Sequence, residues 1–309
     1  MLRRLDIKVP EEAEEPLLGL AERLGVMVFS SPCLVTEIQG GEEDIAFTGE
    51  TVVSFLFSTV EQPADEIHRQ VQEWVQREGY ADATITILEY PDQTDWMAGF
   101  RQYFQPLRVG KGILVCPPWN VPDDQTRLKL LIDPGMAFGT GTHETTRLCL
   151  MLLEETAPPG GRFLDLGSGS GILAFYLLRR GAAAVIAVEK EGPAVENLRK
   201  NAELNQITTG LEVRCADLSG FSPPWPADGL VANLTSPLLR EFLPRFAEWV
   251  KPEGWGIFSG VNTANAGLVR SSFEPAGWRL DREITEGEWH GFLARRHPPR
   301  PSRAAVPQR

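Results

Sequence analysis

The feature that most constrains the fold of this chain is residues 163–189, FLDLGSGSGILAFYLLRRGAAAVIAVE. The segment begins with a short apolar run that suits a strand buried in a parallel sheet. Gly167, Gly169 and Gly171 then allow the backbone to turn sharply and to approach a ligand closely. The apolar residues that follow predict a helix and a second buried strand. The pattern therefore predicts a strand–turn–helix–strand unit whose glycine turn lies at the sheet edge where α/β proteins bind ligands.

Two acids frame this turn and narrow the type of ligand. Glu189 ends the second strand, where a carboxylate can accept hydrogen bonds from both hydroxyls of a ribose. The dinucleotide fingerprint G-x-G-x-x-G is not met, because Ile172 occupies the place of its third glycine. Asp165 precedes the first glycine, and the resulting D-x-G-x-G-x-G pattern resembles the nucleoside and amino-acid site of class I S-adenosylmethionine methyltransferases. Another nucleotide-binding role and a purely structural turn remain alternatives at this point.

The composition limits the partners of the chain. The 309 residues carry a formal net charge of -12, whereas phosphate binding requires a basic face, so we expect no direct nucleic-acid binding. No apolar run reaches the roughly 18 residues of a membrane-spanning helix, and the N-terminal residues lack the apolar region of a secretory signal. We therefore expect a cytoplasmic protein that binds no membrane.

The cysteines and histidines are scattered and show no metal-binding spacing, so we expect no metal site. These residues are Cys33, Cys116, Cys149, Cys215, His68, His143, His290 and His297.

Residues 1–92 show a rhythm of strands and helices that differs from the rest of the chain. The predicted strands lie at residues 5–9, 26–29, 33–38, 52–58 and 83–88. Amphipathic patterns predict helices, which lie at 10–25 and 63–79. Although this list contains one strand more than the pattern, we interpret the order as β-α-β-β-α-β, which is typical of a small ferredoxin-like α+β domain.

The remainder of the chain divides into three parts. Residues 93–127 are rich in aromatic residues and prolines, and we interpret them as an ordered connector that begins with a helix at 94–103. Residues 128–296 alternate strands with helices, which predicts a parallel sheet with helices on both faces and a closing hairpin near Glu286. This arrangement matches a seven-stranded Rossmann-like methyltransferase domain, whose sheet has one antiparallel strand. The Pro- and Arg-rich tail at 297–309 is expected to be disordered.

Two further segments carry candidate site residues. The loop D-P-G-M-A-F-G-T-G-T-H-E-T-T at 133–146 offers small, donor-rich residues before a helix whose free N–H groups attract a carboxylate. The alternative is that this loop only caps the helix, and a structural role explains His143 as readily as a ligand contact. Asn233 ends a predicted strand, where its amide oxygen can accept a hydrogen bond from a substrate amine. The alternative for Asn233 is a turn residue at the strand end.

Taken together, these motifs resemble one family of class I methyltransferases. The loop at 133–146, D-L-G-S-G-S-G-I-L-A at 165–174 and V-A-N-L at 231–234 are similar, in this order, to the methyltransferases of large-subunit ribosomal protein L11, the PrmA family. The segment W-M-A-G-F-R-Q-Y-F-Q-P-L-R-V-G-K-G at 96–112 and the later S-G-V and E-G-E-W fit the same family. The match by motif covers about residues 94–295, and the region before it fits only in length and in element order.

The resemblance implies a set of cofactor contacts. Thr146 and the backbone of Gly167 would hold the methionine end of S-adenosylmethionine. Gly169 lies in the same turn, and Glu189 would take the ribose hydroxyls. Asn233 would lie near the transferring methyl and orient the acceptor amine, and no other catalytic residue is assigned.

The resemblance also implies a reaction and a partner. The chain would be a protein N-methyltransferase that transfers methyl groups from S-adenosylmethionine to lysine side chains and the α-amino group of ribosomal protein L11. The N-terminal domain would recognise that substrate, and we expect the enzyme to be a monomer. One departure is E-K-E at 189–191, where the family usually shows Asp-x-Asp, so the ribose carboxylate stands on a longer side chain.

Three alternatives remain. The nearest is a lysine methyltransferase of the same fold that acts on a different protein. A binding module without catalysis is disfavoured by the intact set of Gly167, Glu189 and Asn233. A nicotinamide oxidoreductase is disfavoured by Ile172.

Overall fold

A computed structural model of the chain describes residues 2–24, 26–39, 42–58, 64–90, 105–133, 141, 143–156 and 160–297. The helix predicted at 94–103, most of the loop at 133–146 and all but the first residue of the predicted tail lie outside these residues. The chain forms two compact units, Met1–Tyr103 and Phe104–Arg309. The division falls inside the predicted connector at 93–127.

The first unit is a four-stranded antiparallel sheet with two helices. Its elements are β1 (Leu2–Pro10), α1 (Glu14–Leu24), β2 (Met27–Gln39), β3 (Glu42–Ser58), α2 (Ala64–Arg77) and β4 (Thr84–Tyr90). The spatial order of the strands is β2-β3-β1-β4. Leu5, Ile7 and Val9 alternate along β1 and pack with buried residues of both helices, such as Leu17 and Val71. The period-2 pattern of β1 thus buries one face of the sheet beneath the helices.

The prediction of two short strands at 26–29 and 33–38 is wrong. The structure has one continuous strand, β2, because a register shift between Pro32 and Leu34 absorbs the irregularity in its pairing with β3. Such a bulge accommodates an extra residue and a proline without ending the strand.

The second unit begins with a small three-stranded sheet that sequence patterns only partly predicted. Its strands are β5 (Leu107–Val109), β6 (Ile113–Cys116) and β7 (Leu128–Leu131). We had assigned the first two strands to the connector. The turn between them is held by Glu154, whose carboxylate accepts hydrogen bonds from Lys111 N at 2.8 Å and Gly112 N at 2.5 Å.

A seven-stranded sheet forms the body of the second unit. Its strands are β8 (Arg162–Leu166), β9 (Ala184–Glu189), β10 (Leu211–Cys215), β11 (Ala227–Asn233), β12 (Val250–Asn262), β13 (Trp278–Glu286) and β14 (Trp289–Arg296). The spatial order is β10-β9-β8-β11-β12-β14-β13, and β14 alone runs antiparallel to its neighbours. The prediction of a mixed α/β fold with a large, mainly parallel sheet is confirmed.

Helices cover both faces of this sheet, which explains why its central strands are apolar throughout. The helices are α3 (Glu144–Thr156), α4 (Ile172–Arg179), α5 (Gly192–Leu204), α6 (Ser236–Trp249) and α7 (Thr263–Ser272). Side chains of α3, α4 and α5 share one buried cluster with the sheet, and those of α6 and α7 share the other. The sheet order changes direction between β8 and β11, so a crevice is expected at their carboxyl ends.

Two features are absent from the described residues. In these parts of the chain no helix has the length and apolar character needed to cross a membrane. The same residues contain no group of three or more His, Cys, Asp or Glu side chains placed to hold a metal ion.

A glycine in β12 is required by the close approach of the loop that follows β11. Gly260 has a φ of 87° and faces the backbone of Leu234, the residue after Asn233. A Cβ atom on Gly260 would collide with the carbonyl oxygen of Leu234 and lie 2.7 Å from its carbonyl carbon.

We expect Gly260→Ala to lower the free energy of unfolding by about 2–4 kcal/mol, because both the left-handed backbone and the collision oppose the new methyl group. The matched control is Gly267→Ala in α7, where a Cβ would meet open space at an ordinary φ. The control should raise stability by about 0.5–1 kcal/mol. Urea unfolding of the three proteins measures both changes, and equal stabilities would contradict the steric account.

Candidate functional site

The glycine turn after β8 is tied to the end of β9 by backbone hydrogen bonds. The N–H groups of Gly167 and Ser168 both donate to the carbonyl oxygen of Val188, at 2.9 and 3.0 Å, and Gly171 N donates to Ser168 O at 2.8 Å. Gly167 and Gly171 have φ angles of 70° and 85°, which glycine adopts without strain. Since the turn uses these N–H groups internally, they are not available to a ligand. The carbonyl oxygen of Gly167 accepts no hydrogen bond from the described residues.

Glu189 is fixed by three backbone donors. Its Oε1 accepts from Lys190 N at 2.8 Å and Glu191 N at 3.1 Å, and its Oε2 accepts from Gly169 N at 2.9 Å. The side chain is 9% exposed. Because Oε1 already has two donors, the remaining acceptor capacity is on Oε2, beside the glycine turn.

Four of the five predicted cofactor-binding residues line one small pocket at the carboxyl ends of β8 and β11. They are Thr146, Gly167, Gly169 and Asn233, together with Ser168, Ile172 and Leu173. The fifth, Glu189, joins this group through its hydrogen bond to Gly169 N. The structure therefore brings together residues that stand up to 87 positions apart in the chain, as the Thr146–Asn233 pair does.

The amide of Asn233 is oriented by the start of α3. Its Nδ2 donates to Thr145 Oγ1 at 3.1 Å and approaches Thr146 Oγ1 at 3.5 Å. Thr145 Oγ1 lies 2.9 Å from His143 Nδ1, and Thr145 N donates to the same nitrogen at 3.3 Å. A nitrogen that accepts these bonds carries no proton, so the network assigns the proton of neutral His143 to Nε2. Burial lowers the pKa of His143, which favours this neutral form.

The consequence is a defined direction for the amide of Asn233. With Nδ2 facing the threonines, Oδ1 accepts no hydrogen bond from any residue that the structure describes. The hydroxyl proton of Thr146 likewise has no acceptor there. The pocket thus presents one free carbonyl-type acceptor on Asn233 and one free donor on Thr146.

The hairpin between β13 and β14 braces the first turn of α3 from the other side. Arg147 Nε and Nη2 donate to Glu286 Oε1 at 3.0 and 2.8 Å. The ring of Trp289 meets that of His143 edge-on, with 4.9 Å between centroids. Ser259 Oγ donates to the carbonyl oxygen of His290 at 2.9 Å, which fixes β14 beside β12.

Asp165 is a fully buried acid directly below the glycine turn. Its Oδ2 accepts from Ala174 N in the first turn of α4 at 3.0 Å. Its Oδ1 has no hydrogen-bond partner among the described residues. Burial, with a smaller contribution from the nearby charge of Glu189, raises the pKa of Asp165 to about 7 against the opposing effect of the hydrogen bond from Ala174 N.

Sequence reasoning missed two residues of this site. Thr145 carries the link between Asn233 and His143, but the pattern around 133–146 did not distinguish it from its neighbours. Ser168 lines the pocket with a buried hydroxyl that has no partner within the described residues, and only its place between two glycines hinted at a role.

The family model that matches this chain and two curated relatives belong to one family. The family model described as "Ribosomal protein L11 methyltransferase (PrmA)" matches residues 2–297. A ribosomal protein L11 methyltransferase of Synechococcus sp. is 34% identical over 299 residues, which are 93% of this chain and 94% of that protein. The protein of the same name from Thermosynechococcus vestitus is 41% identical over 217 residues, 66% of this chain and 70% of that protein.

One solved structure shows the same fold. The ribosomal protein L11 methylase from Lactobacillus delbrueckii subsp. bulgaricus superposes with a TM-score of 0.59 at 24% identity. The superposition covers 63% of this chain and 100% of that one.

The buried carboxyl group of Asp165 predicts a pH-dependent stability. Between the ordinary pKa of 3.8 and the raised value of about 7, the folded state keeps a proton that the unfolded state has lost. Stability therefore falls as the pH rises through this window, and Asp165→Asn should remove that loss. We expect the free energy of unfolding of Asp165→Asn, relative to that of wild type, to rise by up to about 4 kcal/mol between pH 4 and pH 7 and to stay constant above pH 7. Thermal unfolding without ligand, over a pH series, measures the difference; a pH-independent difference would contradict the assignment.

Proposed function

Because the chain belongs to the ribosomal protein L11 methyltransferase family, we propose that it transfers methyl groups from S-adenosylmethionine to ribosomal protein L11. The resemblance found from the motifs is thereby confirmed at the level of the family. The observation that supports the reaction is the pocket between β8 and β11, where Thr146, Gly167, Gly169 and Asn233 meet beside Glu189.

The free groups of the pocket fit the methionine end of S-adenosylmethionine. The carbonyl oxygen of Gly167, which has no partner among the described residues, is suited to accept a hydrogen bond from the α-ammonium group. The hydroxyl proton of Thr146, which has no acceptor in the same parts of the chain, is suited to donate to the carboxylate. The hydroxyl and the carbonyl are both uncharged, so they can bind the carboxylate and the ammonium group of the methionine end without placing an unpaired protein charge in the pocket.

Glu189 is suited to bind the ribose, with a limit set by its own contacts. Three N–H donors hold its carboxylate in place before any ligand binds. Oε2 retains capacity for a ribose hydroxyl, whereas Oε1 is filled. We therefore propose one direct hydroxyl contact at Oε2 rather than the symmetric pair that the sequence suggested.

Asn233 would act on the acceptor amine. S-adenosylmethionine supplies an activated methyl group on a sulfonium, so alignment of the amine contributes most of what the protein adds. Oδ1 of Asn233 accepts an N–H of the neutral amine and directs the nitrogen lone pair toward the methyl group. A lysine amine has an ordinary pKa of ~10.4, and entry into a partly buried pocket favours its neutral form. The proton released on methylation passes to solvent.

The finer parts of the assignment are proposals that follow from family membership. The acceptors are lysine side chains and the α-amino group. The β-α-β-β-α-β unit at 1–92 is a ferredoxin-like domain that recognises the substrate, 93–127 connect it to the Rossmann-like methyltransferase domain at 128–296, and 297–309 form a tail. We propose that the enzyme works as a monomer in the cytoplasm.

The direct test is methyl transfer to purified, unmethylated ribosomal protein L11, followed by intact mass. We expect repeated additions of one methyl mass that depend on S-adenosylmethionine. If the chain binds S-adenosylmethionine but does not methylate ribosomal protein L11, the acceptor must be another protein, and the assignments of fold and cofactor site still hold.

The ribose contact predicts a specific effect of Glu189→Gln. A carboxamide has one acceptor atom, so its NH₂ group must face either Gly169 N or the pair of N–H groups after Glu189, and one hydrogen bond is lost to repulsion. We expect the dissociation constant for S-adenosylmethionine to rise about tenfold or more, measured by calorimetry. The control is Glu191→Gln, an exposed side chain that pairs with Lys190 at 3.6 Å. It should change affinity less than about twofold.

The orientation of Asn233 predicts a separate effect on turnover. Thr145→Val keeps the shape of a buried side chain but removes the hydroxyl between Asn233 and His143. We expect kcat to fall about tenfold to a hundredfold, because the amide loses its fixed direction. The dissociation constant for S-adenosylmethionine should stay within about threefold of wild type. Equal losses in both quantities would show that Thr145 acts on the fold rather than on the amine.

A further inference from the structure

Three asparagines one turn apart, two on α5 and one directly after its last residue, form a buried polar row. Asn197, Asn201 and Asn205 are 8%, 0% and 2% exposed. They connect to one another, since Asn201 Nδ2 donates to Asn197 Oδ1 at 3.0 Å and Asn205 Nδ2 donates to Asn201 O at 2.8 Å. Burying amides is costly unless they are hydrogen-bonded, and apolar side chains would serve simple packing better. Each amide of the row is therefore expected to form hydrogen bonds with a specific polar group.

Asn205 binds a strand edge. Its Oδ1 accepts from Leu131 N at 2.9 Å, and its Nδ2 donates to Leu131 O at 2.6 Å. The amide thus replaces the neighbouring strand that the last residue of β7 would otherwise need. This contact lies within the small three-stranded sheet and does not involve the glycine turn.

Asn201 makes the same type of contact one turn earlier and also reaches the glycine turn. Its Oδ1 accepts from Asp133 N at 2.8 Å, and its Nδ2 donates to Ser170 O at 3.2 Å. Ser170 stands between Gly169, whose N–H binds Glu189, and Gly171, which starts α4. One carboxamide thereby joins the chain after β7 to the turn that carries the candidate cofactor contacts.

We propose that Asn201 is a positioning residue for S-adenosylmethionine, which acts by holding the carbonyl of Ser170 and so the glycine turn in its binding geometry. The role rests on the proposed function. The position requires one short side chain that accepts a hydrogen bond from Asp133 N and donates one to Ser170 O, and an amide provides both groups. Asn205 meets a matched demand from the backbone of Leu131 and from the carbonyl oxygen of Asn201, neither of which lies in the glycine turn, so it isolates the structural part of the role.

The first experiment compares Asn201→Leu with Asn205→Leu, each of which removes an amide from three backbone groups. Asn201→Leu affects the N–H and carbonyl of Asp133 and the carbonyl of Ser170. Asn205→Leu affects the N–H and carbonyl of Leu131 and the carbonyl of Asn201. Both variants should lower the melting temperature by a similar amount. The dissociation constant for S-adenosylmethionine, measured by calorimetry below both melting temperatures, should rise about tenfold in Asn201→Leu and less than about threefold in Asn205→Leu. Equal affinities in the two variants would overturn the positioning role.

The second experiment keeps the test decisive if Asn201→Leu does not fold. Asn201→Asp has the same shape, and burial raises the pKa of its carboxyl group. The protonated form restores the donor to Ser170 O, whereas the carboxylate places a charge against that oxygen. We expect the dissociation constant of this variant, relative to wild type, to rise about tenfold between pH 5.5 and pH 8. A ratio that does not change with pH would overturn the role.

The two proposals fail in distinguishable ways. A wild-type protein that does not bind S-adenosylmethionine would overturn the proposed function and this role with it. A wild-type protein that binds, together with variants that bind equally well, would overturn the role of Asn201 alone.

Discussion

The hydrogen bonds between the end of β9 and the glycine turn are the constraint on which the rest of the site depends. Val188 O holds two N–H groups of the turn, and Glu189 holds a third through its side chain. Together they fix the turn against the end of β9. Glu189 also accepts from Lys190 N and Glu191 N, and the three bonds use most of the acceptor capacity of its carboxylate. A site that is already ordered before the ligand binds avoids the entropic cost of ordering the site on binding.

That rigidity is obtained at a cost in stability. Asp165 lies buried beneath the turn with one oxygen unpaired among the described residues, and its raised pKa reflects the burial. Gly260 has a φ of 87° and leaves no space for a Cβ atom beside the carbonyl group of Leu234. Both features lie next to residues proposed to contact S-adenosylmethionine. Such local exceptions to good packing are commonly found at functional sites, where the surrounding core compensates for them.

The sequence predicted the parts of the site that local patterns encode. The glycine turn, the acid at Glu189 and the strand-end position of Asn233 follow from the alternation of apolar runs with turn residues, because strands end where ligands bind in such sheets. Local patterns do not encode contacts across the chain. The bond from Asn233 to Thr145 spans 88 positions and that from Asn201 to Asp133 spans 68, and nothing near either residue signals its partner.

Two errors in the fold have a similar origin. The single strand β2 was divided because proline and serine usually mark turns, whereas the long partner β3 pairs continuously through a bulge. The short strands β5 and β6 lie in a segment whose prolines and aromatic residues dominated its composition. These two strands pair with each other across a tight turn, and β6 also pairs with β7, which lies more than ten residues further along the chain.

The antiparallel insertion of β14 has a consequence for the order in which the protein can form. β14 lies between β12 and β13, and the hairpin before it contacts His143 and Arg147 at the start of α3. The glycine turn lies within residues 162–189, whereas the brace on the acceptor side comes from residues 286–290, which are synthesised later. A nascent chain therefore acquires the support for its amine-orienting residues only after the residues of the glycine turn have been synthesised.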